Sequence, residues 1–215
     1  MIKTPDNSLS QPRSQLLSLC VYCGSGPGKD PAYMQAANSL GTSIAQNGLG
    51  LVYGGGSIGL MGETARAVLA HGGRVIGIIP DFLVQKERML EQAPGQTHEL
   101  IVTNSMHERK ITMFERAHGF VVLPGGLGTL EELAEIATWA QLERHNKPII
   151  ICNVNGYWDP LVKLLDHMRE EHFIRTGMEI SLDVVNSAQD VVPLFRKRYD
   201  ERHCAENSTQ PLAQM

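Results

Sequence analysis

The residues whose types and spacing suit chemistry fall in two glycine turns, one basic pair and one carboxylate. Leu123-Pro124-Gly125-Gly126-Leu127-Gly128-Thr129-Leu130-Glu131-Glu132 follows the apolar run Phe120-Val121-Val122-Leu123, a valine-rich buried strand that Pro124 stops. Gly125, Gly126 and Gly128 let the backbone turn sharply and approach a ligand that any Cβ would push away. Leu130, Leu133, Ala137 and Ala140 then recur at helical spacing, which predicts a helix from near Thr129. A glycine turn between strand and helix aims unpaired N–H groups and the positive end of the helix dipole at one spot, where phosphate is the usual guest. Gly54-Gly55-Gly56-Ser57-Ile58-Gly59 also carries the Gly-x-Gly-x-x-Gly dinucleotide spacing, and Asp81, after the next strand, is placed to hold a ribose hydroxyl. Two glycine loops are more than a dinucleotide site needs, so the phosphate and ribose of a smaller nucleotide are expected to be gripped separately.

Arg109 and Lys110 lie in the first turn of a helix, where the dipole disfavours cations. A bound phosphate would reverse that penalty, since arginine grips its oxygens with two donors; a solvated surface pair is the plain alternative. Glu132 has two readings as well. With Thr129 it fits a Thr-x-x-Glu capping box, which satisfies only the helix's own donors. Alternatively, if the strands before the two helices are neighbours, Glu132 faces the same pocket as Arg109. A carboxylate beside a ribose stabilises an oxocarbenium-like transition state and activates water, as in glycoside hydrolysis. Neither glycine loop ends in the Lys-Ser/Thr of a Walker A motif and no acidic pair marks a magnesium site, so ATP hydrolysis is not expected.

The elements that must position these residues alternate regularly. Strands are expected at Leu16–Cys23, Leu51–Tyr53, Arg74–Ile79, Glu99–Val102, Phe120–Leu123, Pro148–Cys152 and Asp183–Val185. Asp30-Pro31 opens a helix that Asn47-Gly48 closes, Ser105 with Glu108 makes a second capping box, and Asp159-Pro160 starts a later helix. The last helix is expected over Ala188–Tyr199, and residues 81–97, with Leu83, Met89 and Leu90, read as a short helical piece in an irregular lid. The pattern predicts an α/β fold: one doubly wound, mostly parallel, Rossmann-like sheet whose glycine loops converge on the strands' carboxyl edge. A disordered segment over 1–15, a single nucleotide-binding catalytic domain over 16–200 and a flexible tail over 201–215 are expected.

With 42% hydrophobic and 20% charged residues in 215, the composition is that of a globular protein with a sizeable core. The net charge of −4 argues against a general nucleic-acid or membrane-surface binder. The longest apolar run, Leu16–Cys23, is far too short to span a bilayer, and the polar start with Pro5 and Pro12 lacks the layout of a signal peptide, so a cytoplasmic location is expected. Cys20-Val21-Tyr22-Cys23 has redox or zinc spacing, but i and i+3 on a strand point to opposite faces; these thiols, with Cys152, read as small buried hydrophobes.

Met106-His107-Glu108-Arg109-Lys110 followed by Pro124-Gly125-Gly126-Leu127-Gly128-Thr129-Leu130-Glu131-Glu132 resembles the LONELY GUY family of cytokinin riboside 5′-monophosphate phosphoribohydrolases, long labelled lysine decarboxylase-like. The resemblance runs over roughly Leu16–Arg198 and includes Cys23-Gly24-Ser25, Tyr53-Gly54-Gly55-Gly56, Gly59-Leu60-Met61-Gly62, Thr138-Trp139-Ala140-Gln141-Leu142, Lys147-Pro148 and Gly156-Tyr157. It implies hydrolysis of the N-glycosidic bond of an adenosine 5′-monophosphate, AMP or its prenylated form, to free base and ribose 5-phosphate, with no metal or organic cofactor and in a homodimer. Arg109 and Glu132 match the family's catalytic pair. Glu87, Lys110, Gly126 to Thr129 and Thr138 match nucleotide contacts, and Ser25, Gly54, Gly55, Gly56, Met106 and Gly125 complete the expected substrate-binding set. Gly26 stands where the family commonly has a second serine, and the segment from Glu87 to Met106 is a few residues longer than in plant members, a place for altered base selectivity. A nucleotide-binding sensor with the same loops and no chemistry is the competing function. The decarboxylase label needs a pyridoxal phosphate lysine, and nothing around Lys86, Lys110 or Lys147 marks one.

Overall fold

A computed structural model describes residues 16–84, 90, 97–174 and 181–208. The elements run β1 (Ser18–Tyr22), α1 (Pro31–Gln46), β2 (Gly50–Tyr53), α2 (Gly59–Ala70), β3 (Arg74–Pro80), a short α3 (Asp81–Val84), β4 (Thr97–Thr103), α4 (Met106–Arg116), β5 (Gly119–Val122), α5 (Leu127–Gln141), β6 (Ile149–Cys152), α6 (Asp159–Glu170), β7 (Leu182–Val185) and α7 (Val191–Ser208). They form one 7-stranded sheet in the order β4-β3-β2-β1-β5-β6-β7, every pair parallel. The order reverses at β1/β5, where Leu19 pairs with Gly119 and Tyr22 with Val122. That junction is where an open parallel sheet leaves a crevice beyond its strands' carboxyl ends.

Helices cover both faces. β1 and the residue after it send Leu19, Val21 and Cys23 to one layer with Leu40 and Ile44 of α1, Val68 of α2 and Phe195 of α7. Cys20 and Tyr22 go to the other, with Phe120, Met113 of α4 and Leu133 and Ile136 of α5. Cys20 and Cys23 are thus free thiols in opposite layers, and Cys152 is buried like them; Cys204 is exposed.

Local signals explain the boundaries. Asp30 caps α1 through Ala32 N at 2.9 Å with Pro31 in the first turn, and Gly48 leaves the helix at φ 64°. Ser105 accepts from Glu108 N at 3.1 Å, while the Glu108 carboxylate reaches back to Asn104 N at 2.8 Å, one residue before the cap. At α6 the helix already includes Asp159, whose carboxylate instead accepts from Asn153 Nδ2 at 2.7 Å. α7 runs to Ser208, past the expected boundary at 200. Its extra turns are held by Arg198–Glu201 at 3.1 Å and by the Tyr199 and His203 rings, 4.1 Å apart, so charge pairing and stacking outweigh the polar composition. In the expected lid only α3 is described as helix; Lys86, Glu87 and Met89 lie outside the described residues, as do 1–15 and 209–215.

α1 and α2 approach closely where Gly41 faces Thr64; a Cβ there would meet Thr64 O at 2.4 Å and Ala67 Cβ at 2.7 Å. Gly41→Val is therefore expected to lower stability by about 1–3 kcal/mol through overpacking, read as a lower midpoint in urea unfolding. An unchanged midpoint would show that the helices separate freely.

Candidate active site

The β1 and β5 loops are stitched together at the order reversal. Gly24 N donates to Pro124 O at 3.0 Å, and Leu123 N to Tyr22 O at 3.0 Å. Beside this seam lies a cleft of about 320 Å³ whose wall includes Ser25, Met61, Met106, Arg109, Gly126, Leu127, Gly128, Thr129, Glu131 and Glu132. Arg109 and Glu132 therefore share one pocket, although the strands before their helices, β4 and β5, are not the neighbours that were expected: β3, β2 and β1 lie between them. Gly24, Ser25 and Gly126 also border a second hollow of about 460 Å³ on the far side of the Pro124-Gly125-Gly126 bend. A larger cavity of about 560 Å³ sits at the opposite end of β6 and β7, and no expected site residue lines it. Its Arg198 and Asp183 are already paired with each other at 2.7 and 2.9 Å.

Only one of the two glycine turns keeps its helix start open. The first amides of α2 are taken by the β1 loop, with Leu60 N and Met61 N both directed at Gly24 O, at 3.1 and 3.4 Å. Gly59, at φ 59°, accommodates that approach, since a Cβ on it would meet Ser25 O at 2.4 Å. At α5, by contrast, Gly126 is the N-cap and offers no side-chain oxygen. Gly126 and Gly128 face open space. The N–H groups of Leu127, Gly128 and Thr129 are left for an anion in the cleft. Gly54, Gly55 and Gly56 are buried, and none of them is among the residues that line the cleft.

The helix also begins at Leu127, not near Thr129. Thr129 is consequently inside the first turn and buried against Gly125, where a Cβ would meet Thr129 Oγ1 at 2.1 Å. The Thr129–Glu132 capping box is not formed, and the Glu132 carboxylate is left for the cleft.

Arg109 is 6% exposed. Its Nε donates to Ile78 O at 3.1 Å and its Nη2 to Gly54 O at 2.9 Å, carbonyls at the ends of β3 and β2. Those carbonyls, partial negative charges in a dry setting, offset the unfavourable dipole at the start of α4. Nη1 remains on the cleft side, with only Met106 Sδ at 3.8 Å. The triple glycine has a structural reason here: a Cβ at Gly54 would lie 2.0 Å from Arg109 Nη2.

Burial pushes Glu132 up to about 7; the Arg109 guanidinium opposes that, Glu131 adds to it, and Lys110 and Glu135 act more weakly in opposite senses. Glu132 thus changes charge near neutral pH. Lys110 is not the solvated partner of Arg109: its ammonium bonds Glu131 and, at 3.2 Å, Glu135. Burial disfavours its charge, but those two carboxylates prevail and raise its pKa.

Several expected residues fall elsewhere. Thr138 is exposed farther along α5, its hydroxyl donating to Ala134 O at 2.7 Å. Asp81 accepts from its own neighbour Phe82 N at 2.6 Å, away from the cleft. Glu87 lies outside the described residues. Among the described residues, no group of three His, Cys, Asp or Glu has an arrangement that could hold a metal ion. Tyr157, quoted only as part of a motif, donates to Gly125 O at 2.5 Å. The signal available for it was the Asn-x-Asn-Gly turn that carries it over the carboxyl end of β6.

A family described as "Possible lysine decarboxylase" matches residues 61–195. A probable cytokinin riboside 5′-monophosphate phosphoribohydrolase of Oryza sativa is 45% identical over 83% of this chain and 71% of its own length. A cytokinin riboside 5′-monophosphate phosphoribohydrolase of Arabidopsis thaliana is 40% identical over 96% of this chain and 93% of its own. Among solved structures, the molybdenum cofactor binding protein of Rippkaea orientalis superposes with a TM-score of 0.62 at 22% identity, over 86% of this chain and 98% of that one, a likeness of fold alone.

The raised pKa of Glu132 has a sign that can be measured. Between the ordinary 4.5 and about 7 the folded protein holds a proton that the unfolded chain has released. Stability therefore falls as pH rises through that window. Glu132→Gln removes the titration, so it is expected to be more stable than the parent at about pH 8, by up to about 3 kcal/mol. The gain should fade towards about pH 4. Melting curves across this range check it, and a gain independent of pH would count against it.

Proposed function

Because the chain belongs to the LONELY GUY family, we propose that it is a phosphoribohydrolase that cleaves the N-glycosidic bond of cytokinin riboside 5′-monophosphates. The observation that carries this reading is the meeting of Arg109, Glu132 and the uncapped start of α5 in one cleft. The 5′-phosphate lies against the amides of Leu127, Gly128 and Thr129, which places the ribose beside Glu132. As the bond from C1′ to the base nitrogen breaks, its electron pair leaves with the base and positive charge grows on the sugar. The ionised Glu132 stabilises that charge and accepts the proton of the water whose hydroxyl adds to C1′. One proton passes to the departed base, so that neutral base and ribose 5-phosphate result and Glu132 is ionised again. Arg109, fixed on two carbonyls, keeps part of the Glu132 population ionised at neutral pH.

The proposal extends to a homodimer acting in the cytoplasm. Exposed Leu100 and Val102 on the edge strand β4 and exposed Met106 at the start of α4 give an apolar strip for a second copy to cover, and the free buried thiols suit a reducing compartment. No helix among the described residues is long and apolar enough to cross a membrane.

Glu132→Ala is expected to cut release of base from AMP and from isopentenyladenosine monophosphate by at least about a hundredfold. Arg109→Ala should do the same but also destabilise the fold, because two buried carbonyls lose their donor; Arg109→Lys is the gentler companion. In the parent, kcat/KM should rise with pH along an acid limb near pH 7, as Glu132 ionises. Full base release by folded Glu132→Ala would overturn the reading. Tight AMP binding without any ribose 5-phosphate formed would favour a sensor instead.

A further inference from the structure

Tyr157 takes no part in the chemistry above, yet it touches the phosphate turn from behind. Its hydroxyl donates to Gly125 O at 2.5 Å from the hollow on the far side of the bend. The turn that delivers it is unusually constrained. Asn155 and Gly156 both have positive φ, 51° and 72°, and a Cβ on Gly156 would meet Asp159 Oδ2 at 2.7 Å. Asn153 Oδ1 accepts from Trp158 N at 2.7 Å, and Asn155 Nδ2 donates to the Asp30 cap of α1 at 2.9 Å. The Tyr157 ring meets those of Tyr33 and Trp158 edge-on, with centroids 5.5 and 4.9 Å apart.

A planar trans peptide holds the carbonyl of one residue antiparallel to the N–H of the next. Anchoring Gly125 O therefore also sets where the Gly126 N–H points, away from Tyr157. The preceding peptide unit is already fixed by Gly24 N on Pro124 O at 3.0 Å. The next joins two glycines, which have no Cβ to bar the flipped conformation. Once flipped, it would turn a carbonyl oxygen, a partial negative charge, to where the amide had been.

We propose that Tyr157 is a positioning residue for the phosphate subsite: its hydroxyl locks the Gly125–Gly126 peptide with the amide, not the carbonyl, directed at the nucleotide's 5′-phosphate. This rests on the phosphoribohydrolase reading and adds to it the group that keeps the anion site in one state. Its effect belongs to phosphate binding and not to the bond-breaking step.

The test is Tyr157→Phe, which keeps the ring and loses only the donor. By calorimetry the parent is expected to bind ribose 5-phosphate, and the variant about 3–10-fold more weakly, the worth of one hydrogen bond. Adenosine, which lacks the phosphate, should bind both equally, and KM for AMP should rise by the same factor with kcat unchanged. Equal binding of ribose 5-phosphate by parent and variant overturns the inference alone. So does equal weakening for ribose 5-phosphate and adenosine, or a variant that does not fold, since either makes the role one of general structure. A parent that binds neither AMP nor ribose 5-phosphate overturns the proposed function and this inference with it.

Discussion

A guanidinium that is almost wholly buried and bonded to two strand-end carbonyls sets the terms for the rest of the molecule. Parallel strands all present their last carbonyls to the same edge, and Arg109 takes one from β2 and one from β3. That arrangement needs glycine at 54, because any side chain would fill the space of Nη2. It needs α4 to enter with Arg109 turned inward, which the Ser105–Glu108 cap secures. It also places a fixed positive charge across the cleft from Glu132, the main influence restraining that carboxyl from staying neutral.

The charges around Glu132 form two tiers. Arg109 acts directly, whereas Lys110 acts mainly on Glu131 and Glu135 by pairing with both. Each of those carboxylates pushes Glu132 towards its neutral form. A lysine one position from the buried arginine thus works on the outside of the site, tempering the repulsion that α5's run of acids creates.

Much of this was legible in the chain. The first helix was readable at both ends because Asp30-Pro31 and Asn47-Gly48 are local signals, and the sheet was readable because most of its apolar runs are flanked by glycine or proline. The convergence of Arg109 with Glu132 was expected for the wrong reason: β4 and β5, the strands before their helices, are separated by β3, β2 and β1, and the long Arg109 side chain reaches over the ends of β3 and β2 instead. What escaped was decided by long-range contact. Thr129 looked like a cap because its spacing to Glu132 was right, but the helix starts at Leu127, with Gly126 as its cap, and Thr129 is packed against Gly125. The triple glycine looked like a ligand loop, whereas Gly24 O fills the adjoining helix start and Arg109 explains Gly54. Tyr157 was visible only as part of a motif; its partner carbonyl lies 32 residues earlier.

The order of the strands has a consequence for the chain as it is made. β1 is synthesised early, beside β2, but its other neighbour is β5, so one long side of β1 stays unpaired until Gly119–Val122 has emerged. Throughout that interval the nascent sheet grows only outward, through β3 and β4, while its future centre is an open apolar edge. The seam that closes it is the one that shapes the cleft, so a ribosome-bound chain is at its most adhesive until the moment its working surface comes into being.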